Sequence, residues 1–136
     1  MEIESQKATV QASQTEILEF LSNAENLIHL LPQDKISDWE ATTEQCSFKV
    51  QSGIVITLIQ NGMESPNKLF LKAGEKSPFP FDLTVHISPV NGATEGYIEF
   101  EGKVNMFLKK MVEKPLTALF DHMTKQLQNW YADKNA

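Results

Sequence analysis

The feature that most constrains the fold is a long segment, residues 36–104, in which apolar and polar residues alternate. The clearest run is FDLTVHIS at 81–88, and the same spacing recurs in CSFKV at 46–50. Successive side chains of a β-strand point to opposite faces, so each run predicts a strand with one apolar and one polar face. Asn-Gly pairs at 61–62 and 91–92 are typical of turns between such strands. Because no helix-sized insert separates the runs, the strands are expected to be antiparallel.

Two short helices are expected before this segment. Ser13 and Glu16 have the spacing of a capping box, and Ser22 and Glu25 repeat that spacing soon afterwards. Pro32 disfavours helical backbone in the residue before it, so the second helix should end there. Two helix starts so close together predict two short helices that meet at an angle.

One long helix is expected after the alternating segment. Residues 105–130 carry an apolar residue at every third or fourth position, which is typical of one helix face. Pro115 interrupts the pattern, and proline removes a backbone donor and crowds the preceding turn, so a kink is one expectation. Since proline is also favoured at the first helical position, a separate helix that begins at Pro115 is the alternative.

These elements together predict an α+β fold. The order is one strand, two short helices, six antiparallel strands and one long helix, which gives a curved antiparallel seven-stranded sheet. The apolar face of the sheet needs a cover, and the long C-terminal helix supplies it across the concave side. A single domain over residues 1–136 fits this length.

Charge and composition argue against several function classes. The chain has 12 basic residues, all of them lysine, against 18 acidic ones, for a net charge of -6. Without arginine, an acidic chain is a poor candidate for nucleic-acid binding or for attraction to an anionic membrane. Cys46 is the only cysteine and the 3 histidines are scattered, so neither a metal site nor a cofactor is predicted. The N-terminus lacks a signal-peptide pattern and no apolar run is long enough to cross a membrane, so a cytoplasmic location without membrane insertion is expected.

Two segments carry a resemblance to a known superfamily. They are ATVQASQTEILEFLSNAENLIHLLPQ at 8–33 and FLKKMVEKPLTALFDHMTKQLQNW at 107–130. With the element order, they resemble the helix-grip fold of the START-like superfamily, also called SRPBCC. It includes birch-pollen-allergen-like proteins, lipid-transfer START domains, polyketide cyclases and activators of the heat-shock chaperone ATPase. The chain lacks the glycine-rich loop of the allergen branch and an obvious catalytic set of the cyclase branch.

The resemblance implies a cavity between the curved sheet and the long helix that holds a small hydrophobic or amphipathic molecule. A kink at Pro115 would then make a mobile gate at the cavity mouth, and flexible methionines would suit a pocket of variable filling. The candidate lining residues combine the inward positions of the strands with the helix stripe: Phe48, Val50, Leu69, Leu71, Leu83, Val85, Ile98, Phe100, Met111, Leu119 and Met123. Plain core packing is the simpler interpretation of each of them.

The leading hypothesis is a binding protein without catalytic residues, and two alternatives remain open. A cyclase-like or hydratase-like enzyme in the same cavity would need His29, His86 or Asp82 to face inward. A protein-partner module similar to the chaperone-ATPase activators would have a filled interior and an exposed apolar patch around Phe79 and Phe81. Phe79, between two prolines, is expected either to plug the barrel mouth or to form an exposed lip.

Overall fold

The structure is a computed structural model that describes residues 1–134. The strands within these residues are β1 (Glu2–Glu4), β2 (Ala8–Val10), β3 (Ile36–Ala41), β4 (Gln45–Val50), β5 (Val55–Glu64), β6 (Lys68–Ala73), β7 (Phe81–Val90) and β8 (Ala93–Gly102). The helices are α1 (Gln14–Ser22), a 3-10 helix (Ala24–Leu30) and α2 (Met106–Lys134). The last two positions of the predicted domain, 135–136, lie outside the described residues.

The strands form one curved antiparallel sheet, which confirms the predicted α+β helix-grip arrangement. Its order is β1-β8-β7-β6-β5-β4-β3, and β2 also pairs with β8. The predicted alternation is seen in the pairing, because Leu71, Leu83 and Phe100 are direct neighbours across three strands and all are buried. The apolar side chains of the central strands therefore form a continuous inner face, which α2 and the two short helices cover.

The sheet has eight strands rather than the predicted seven, because the first strand is divided at Ser5. The Ser5 hydroxyl accepts a hydrogen bond from the backbone N–H of Ile98 at 2.8 Å, and the Ser5 N–H donates to the Ile98 carbonyl at 2.8 Å. The hydroxyl of Thr124, on α2, lies 3.0 Å from the Ser5 hydroxyl oxygen. A side chain thus satisfies a backbone group of β8 where the strand ladder is broken.

Two bulges interrupt the sheet. The Asn-Gly pair at 61–62 is not the predicted turn, because it lies inside β5, where the register with β6 shifts between Gln60 and Met63. Gly62 has a φ of 93°, which glycine adopts without a steric penalty. The second bulge lies in β3 around Asp38, whose φ is 55°. The Asn-Gly pair at 91–92 does form the predicted turn, between β7 and β8. Bulges increase local twist and so help the sheet curve around α2.

The two short helices begin close to their predicted caps. The Ser13 hydroxyl accepts from the Glu16 N–H at 3.1 Å and the Glu16 carboxylate accepts from the Ser13 N–H, which confirms the first capping box. The second helix is a 3-10 helix capped by Asn23 rather than Ser22. The Asn23 side chain accepts from the Glu25 N–H at 3.0 Å, whereas the Ser22 hydroxyl donates back into α1.

The long helix α2 runs through Pro115 without ending, so the alternative of a separate helix that begins there is wrong. Asn105 caps its start, since its side chain accepts from the Leu108 N–H at 2.9 Å. Pro115 has no N–H to donate to the carbonyl of Met111, so one helical hydrogen bond is missing at this point. The hydrogen bonds and the ion pair that the structure shows for residues 106–114 stay within α2 and its cap.

The second half of α2 is tied to the first strands by side-chain hydrogen bonds. The carboxylate of Asp121 accepts from the backbone N–H of Gln6 at 2.8 Å. The side-chain carbonyl of Gln128 accepts from the N–H of Thr9 at 3.3 Å. These bonds satisfy one backbone donor between β1 and β2 and one in β2, and they hold this part of the helix in place.

An aromatic cluster fills the end of the fold where the β6–β7 loop enters. Phe79 and Phe81 are each only 5% exposed. The ring of Phe81 lies 5.0 Å from that of Phe100, which in turn lies 5.4 Å from that of Phe120 on α2. Phe79 therefore plugs the interior, and the predicted exposed patch around Phe79 and Phe81 is not there, because burying two phenylalanines is strongly favourable.

Candidate functional site

A small apolar cavity lies between the inner face of the sheet and the helices. Its volume is about 40 Å³, and its walls come from β5 to β8, α1, the 3-10 helix and the middle of α2. A water molecule occupies roughly 10–15 Å³ by this measure, so the space equals a few water molecules. Typical ligand pockets measure roughly 300–1,000 Å³, so this cavity is far smaller than a ligand pocket.

Six of the eleven candidate lining residues surround this cavity. They are Leu69, Leu71, Leu83, Val85, Ile98 and Met123.

The structure places the other five candidates elsewhere. Phe48 and Phe100 are buried in the packed regions around the cavity, whereas the buried Leu119 and the partly buried Val50 line a neighbouring groove. Met111 is 45% exposed on the outer side of α2 and lies outside the cavity. The alternation identified the inward face correctly, but it does not show how far along each strand the void extends.

Several lining residues were not among the candidates. The helices contribute Ile17, Leu21, Leu27 and Leu30, and β7 contributes Ile87. Ile87 continues the inward parity of the preceding residues in its strand, so the pattern contained a signal for it. The helix residues carry the signal of an apolar helix face, but that signal alone does not distinguish packing on the sheet from lining a void.

Gly96 gives a direct test of the cavity. It lies in β8 and lines the void, and a Cβ built there would meet one atom, the His86 carbonyl oxygen, at 3.6 Å. We expect Gly96→Ala to raise the free energy of unfolding by about 0.4–1 kcal/mol, because alanine loses less backbone entropy and fills part of the void. Urea denaturation measures this. Gly74→Ala is the control and should destabilise, since its Cβ would lie 2.5 Å from the Thr57 side chain. A loss of stability in Gly96→Ala would contradict the assigned void.

A second, open groove lies beside the cavity, at the outer edge of α2. Its volume is about 290 Å³, and its walls are the start of β3, the β4–β5 turn and the helix residues from Pro115 to His122. Leu119 lines this groove, and Met123, one helical turn later, lines the small apolar cavity. The groove and the cavity therefore lie along the same helix face.

His122 is the polar group that stands out in the groove. Its Nε2 atom is buried and has no hydrogen-bond partner among the described residues. A buried ring nitrogen without a partner is unfavourable, so a ligand group that bonds to it would gain more than a bond to an exposed group. Lys35 and Ser52 also line the groove and supply further polar groups at its rim.

The polar residues considered for an enzyme do not face the cavity. His86 lies on the outer face of the sheet, with its Nε2 2.8 Å from a Glu99 carboxylate oxygen and its ring stacked on Tyr97. Asp82 is exposed, and His29 is exposed and stacked on Trp130 with ring centroids 4.7 Å apart. Within residues 1–134, no group of three histidine, cysteine or acidic side chains could hold a metal ion.

Thr124 brings one hydroxyl to the cavity wall. It is 4% exposed, and its oxygen lies 2.7 Å from the Phe120 carbonyl and 3.0 Å from the Ser5 hydroxyl. Its single proton is therefore already used within the fold.

Burial raises the pKa of the Cys46 thiol to about 12, from an ordinary value of 9.0. The unfolded chain would lose this proton near pH 9 and the folded chain only near pH 12. We therefore expect the cysteine to contribute stability that is intact below pH 9 and falls by up to about 1.4 kcal/mol per pH unit above it. Urea denaturation of wild type and Cys46→Ala across this range isolates the effect. Identical pH slopes for the two proteins would refute it.

Sequence comparisons identify no relative of this chain: no family model matches, and no curated protein matches. No helix in the described part of the chain is long and apolar enough to cross a membrane.

Comparison with solved structures gives full-length matches at low sequence identity. The protein XoxI from Bacillus cereus has a TM-score of 0.74 and 11% identity, covering 99% of this chain and 98% of that one. A START superfamily protein from Mycobacterium smegmatis has a TM-score of 0.68 and 15% identity, covering 98% of both chains. A point mutant of norcoclaurine synthase from Thalictrum flavum, in complex with a transition-state analogue, has a TM-score of 0.72 and 15% identity, covering 100% and 96%. The chain therefore has the helix-grip fold, which it shares with the START superfamily protein and with norcoclaurine synthase.

Proposed function

We propose that this protein binds a small hydrophobic or amphipathic molecule between the curved sheet and α2. The observation that carries the proposal is the apolar void under α2, next to an open groove that contains the unpartnered Nε2 of His122. The apolar part of the ligand would enter the interior, and its polar end would meet His122. The norcoclaurine synthase structure, which holds a small-molecule analogue on the same fold, supports this.

Ligand uptake requires the site to expand, because the small cavity of about 40 Å³ is far below the size of a ligand pocket. The part of α2 before Pro115 is the segment best suited to move, since the hydrogen bonds to the first strands come from Asp121 and Gln128 in the second half. Leu119 lies between the groove and the cavity on α2, so displacement of its side chain when this segment shifts would join the two spaces. The ligand would gain about 25 cal/mol for each Å² of apolar surface it buries, less the cost of the opening.

Native mass spectrometry of the purified protein, before and after organic extraction, is the first experiment. An adduct that disappears on extraction would identify the ligand class by its mass. Titration with the fluorescent fatty acid cis-parinaric acid then measures uptake by the extracted protein. The proposal fails if no adduct is found and the fluorescence shows no saturable binding.

Filling the cavity should weaken the uptake of cis-parinaric acid. Val85→Leu adds one methylene group to the cavity wall, and we expect about a fivefold to tenfold loss of affinity. Val90→Leu is the matched control, because Val90 lies at the end of β7, outside the cavity. This variant should bind cis-parinaric acid with the affinity of wild type. Equal affinities in the two variants would place the bound fatty acid elsewhere.

The role of His122 is tested by a change that keeps an aromatic ring at this position and removes the ring nitrogens. His122→Phe should weaken cis-parinaric acid about fivefold to tenfold, the value of one hydrogen bond, and leave an apolar probe such as pyrene unaffected. His29→Phe is the control, because His29 lies outside the groove. Equal losses for both probes in His122→Phe would mean that the histidine acts through packing only.

An enzyme acting in the same cavity is the second candidate, and the name of one structural neighbour is the observation that favours it. Such an enzyme would use His122 as its base or acid, since its Nε2 has no partner among the described residues while Thr124 is already bonded within the fold. A change in the mass of the extracted ligand after incubation with the protein would support this candidate.

A further inference from the structure

The first turns of α2 carry an exposed apolar surface of unusual composition. Met106 and Phe107 are 74% and 73% exposed, and Met111 is 45% exposed. Among the described residues these are three of the four exposed large hydrophobic side chains, the fourth being Met63. Single exposed apolar residues need no explanation, but three within six positions of one helix do.

Lysines are interleaved with these apolar residues on the same side of the helix. At about 100° per residue, Met106, Phe107, Lys110, Met111 and Lys114 fall on one side, which we call the arm face. The opposite side carries residues buried against the sheet, such as Val112 and Leu116. The arm face thus combines an apolar surface with positive charge and points away from the core.

The charge of this segment is opposite to that of the whole protein. Residues 103–114 contain four of the 12 lysines and a single acidic residue, in a chain with a net charge of -6. That acidic residue, Glu113, pairs with Lys109 at 3.9 Å. The net charge of the chain therefore conceals a local basic surface at the start of α2.

We propose that the arm face docks on an anionic lipid surface. Methionine and phenylalanine side chains would enter the region between headgroups and acyl chains, while Lys110 and Lys114 extend to the lipid phosphates. The helix would lie in the plane of the interface rather than cross it. The proposal differs from the expectation based on the total charge, because attraction to a membrane depends on the charges within about one Debye length of it.

The size of the surface favours lipid over a protein partner. A stable protein interface buries at least about 1,000 Å², with a packed apolar centre and charged residues kept at its rim. The arm face has three apolar side chains with lysines between them. A few inserted side chains together with nearby lysines do suffice for reversible binding to an anionic bilayer. The inference does not rest on the proposed ligand site, because docking requires only the outer face of α2.

Co-sedimentation of the full chain with vesicles tests the proposal. Two kinds of vesicle are compared. One contains phosphatidylcholine with about 30 mol% phosphatidylserine, which gives an anionic surface, and the other contains phosphatidylcholine alone. We expect binding to the anionic vesicles only, and weakening as salt rises from about 0.05 M to about 0.5 M. If wild-type protein does not bind the anionic vesicles, the proposal is overturned, and an acidic protein becomes the candidate partner of the arm face.

Paired variants separate the apolar and the electrostatic contributions. Phe107→Ser should weaken vesicle binding about tenfold or more, and Lys110→Gln with Lys114→Gln about 30-fold, since each lysine contributes roughly fivefold. Met63→Ser is the apolar control, because Met63 is 46% exposed but lies on β5, away from α2. Lys72→Gln with Lys125→Gln is the charge control, and both of those lysines are exposed.

The two sets of results have opposite meanings for the proposal. Loss of binding in the arm-face variants, with both controls like wild type, supports it. Equal losses in the variants and their controls would show that the surface at large, not the arm face, meets the lipid, and would overturn it. The final affinity for cis-parinaric acid in solution should stay unchanged in Phe107→Ser, because this exposed side chain lines neither the cavity nor the groove, so failure of one proposal is distinguishable from failure of the other.

Discussion

Replacing Phe100 with alanine is expected to destabilise the fold by about 3–5 kcal/mol, the range for a large aromatic side chain removed from a packed core. Phe100 is 1% exposed, and its ring packs against Phe81, Phe120 and Phe79, with centroids 5.0, 5.4 and 6.4 Å away. The cluster joins the sheet, the β6–β7 loop and α2. The neighbouring side chains are therefore held in place and cannot move far into the space that the Phe100 ring leaves. Urea denaturation followed by tryptophan fluorescence measures the loss.

Phe107→Ala is the matched control for Phe100→Ala. It removes the same side chain from a site that is 73% exposed, and its free energy of unfolding should stay within about 0.5 kcal/mol of wild type. If the two variants lost similar amounts of stability, the aromatic cluster would not be part of the folded core. The same measurement also shows whether changes at Phe107 leave the fold intact for vesicle experiments.

The strands and helices were predictable from the sequence because each has a local cause. Alternation identified the central strands, and the Ser13 capping box marked the start of α1. The break at Ser5 had no such local signal. It depends on a hydroxyl that bonds to Ile98 in β8 and lies next to Thr124 in α2, both far away in the chain. Tertiary contacts of this kind decide where a strand divides, and local periodicity does not contain them.

The candidate site was predictable in part, for a geometric reason. Alternation assigns each residue to a face of the sheet, so Leu83 and Val85 were correctly expected under α2. It does not show where along a strand the opposing helix fits tightly. Phe100 has the same parity as Ile98, yet it packs into the aromatic cluster while Ile98 lines the void. The volume of a cavity depends on how closely the surrounding side chains pack, and composition does not determine that packing.

Met111 shows the corresponding limit for the helix. Its position in the apolar stripe predicted burial, but it is 45% exposed in the first half of α2. A stripe of apolar residues shows that a helix has an apolar face; it does not show how wide the surface beneath that face is. The exposed part of the stripe and the lysines beside it then become the surface to which a function can be assigned.

Pro115→Ala is expected to raise the free energy of unfolding by about 1–3 kcal/mol. Proline inside a helix is about 3 kcal/mol less favourable than alanine, and the substitution restores an N–H that can donate to the Met111 carbonyl. Part of this gain in stability is offset, because the proline ring lines the groove together with Val50 and Leu119 and its packing there is lost in the alanine variant. Denaturation in urea measures the net change.

The same variant tests whether the missing hydrogen bond serves ligand entry. An uninterrupted series of helical hydrogen bonds should make residues 106–114 more rigid, so their amide hydrogens should exchange more slowly. Cis-parinaric acid should then enter more slowly but reach a similar final affinity. Lys114→Ala, at the exposed neighbouring position, is the control and should change neither rate. The Pro115→Ala protein could instead be more stable than wild type and take up the fatty acid equally fast. That result would show that the proline does not control ligand entry and that the entrance lies elsewhere along α2.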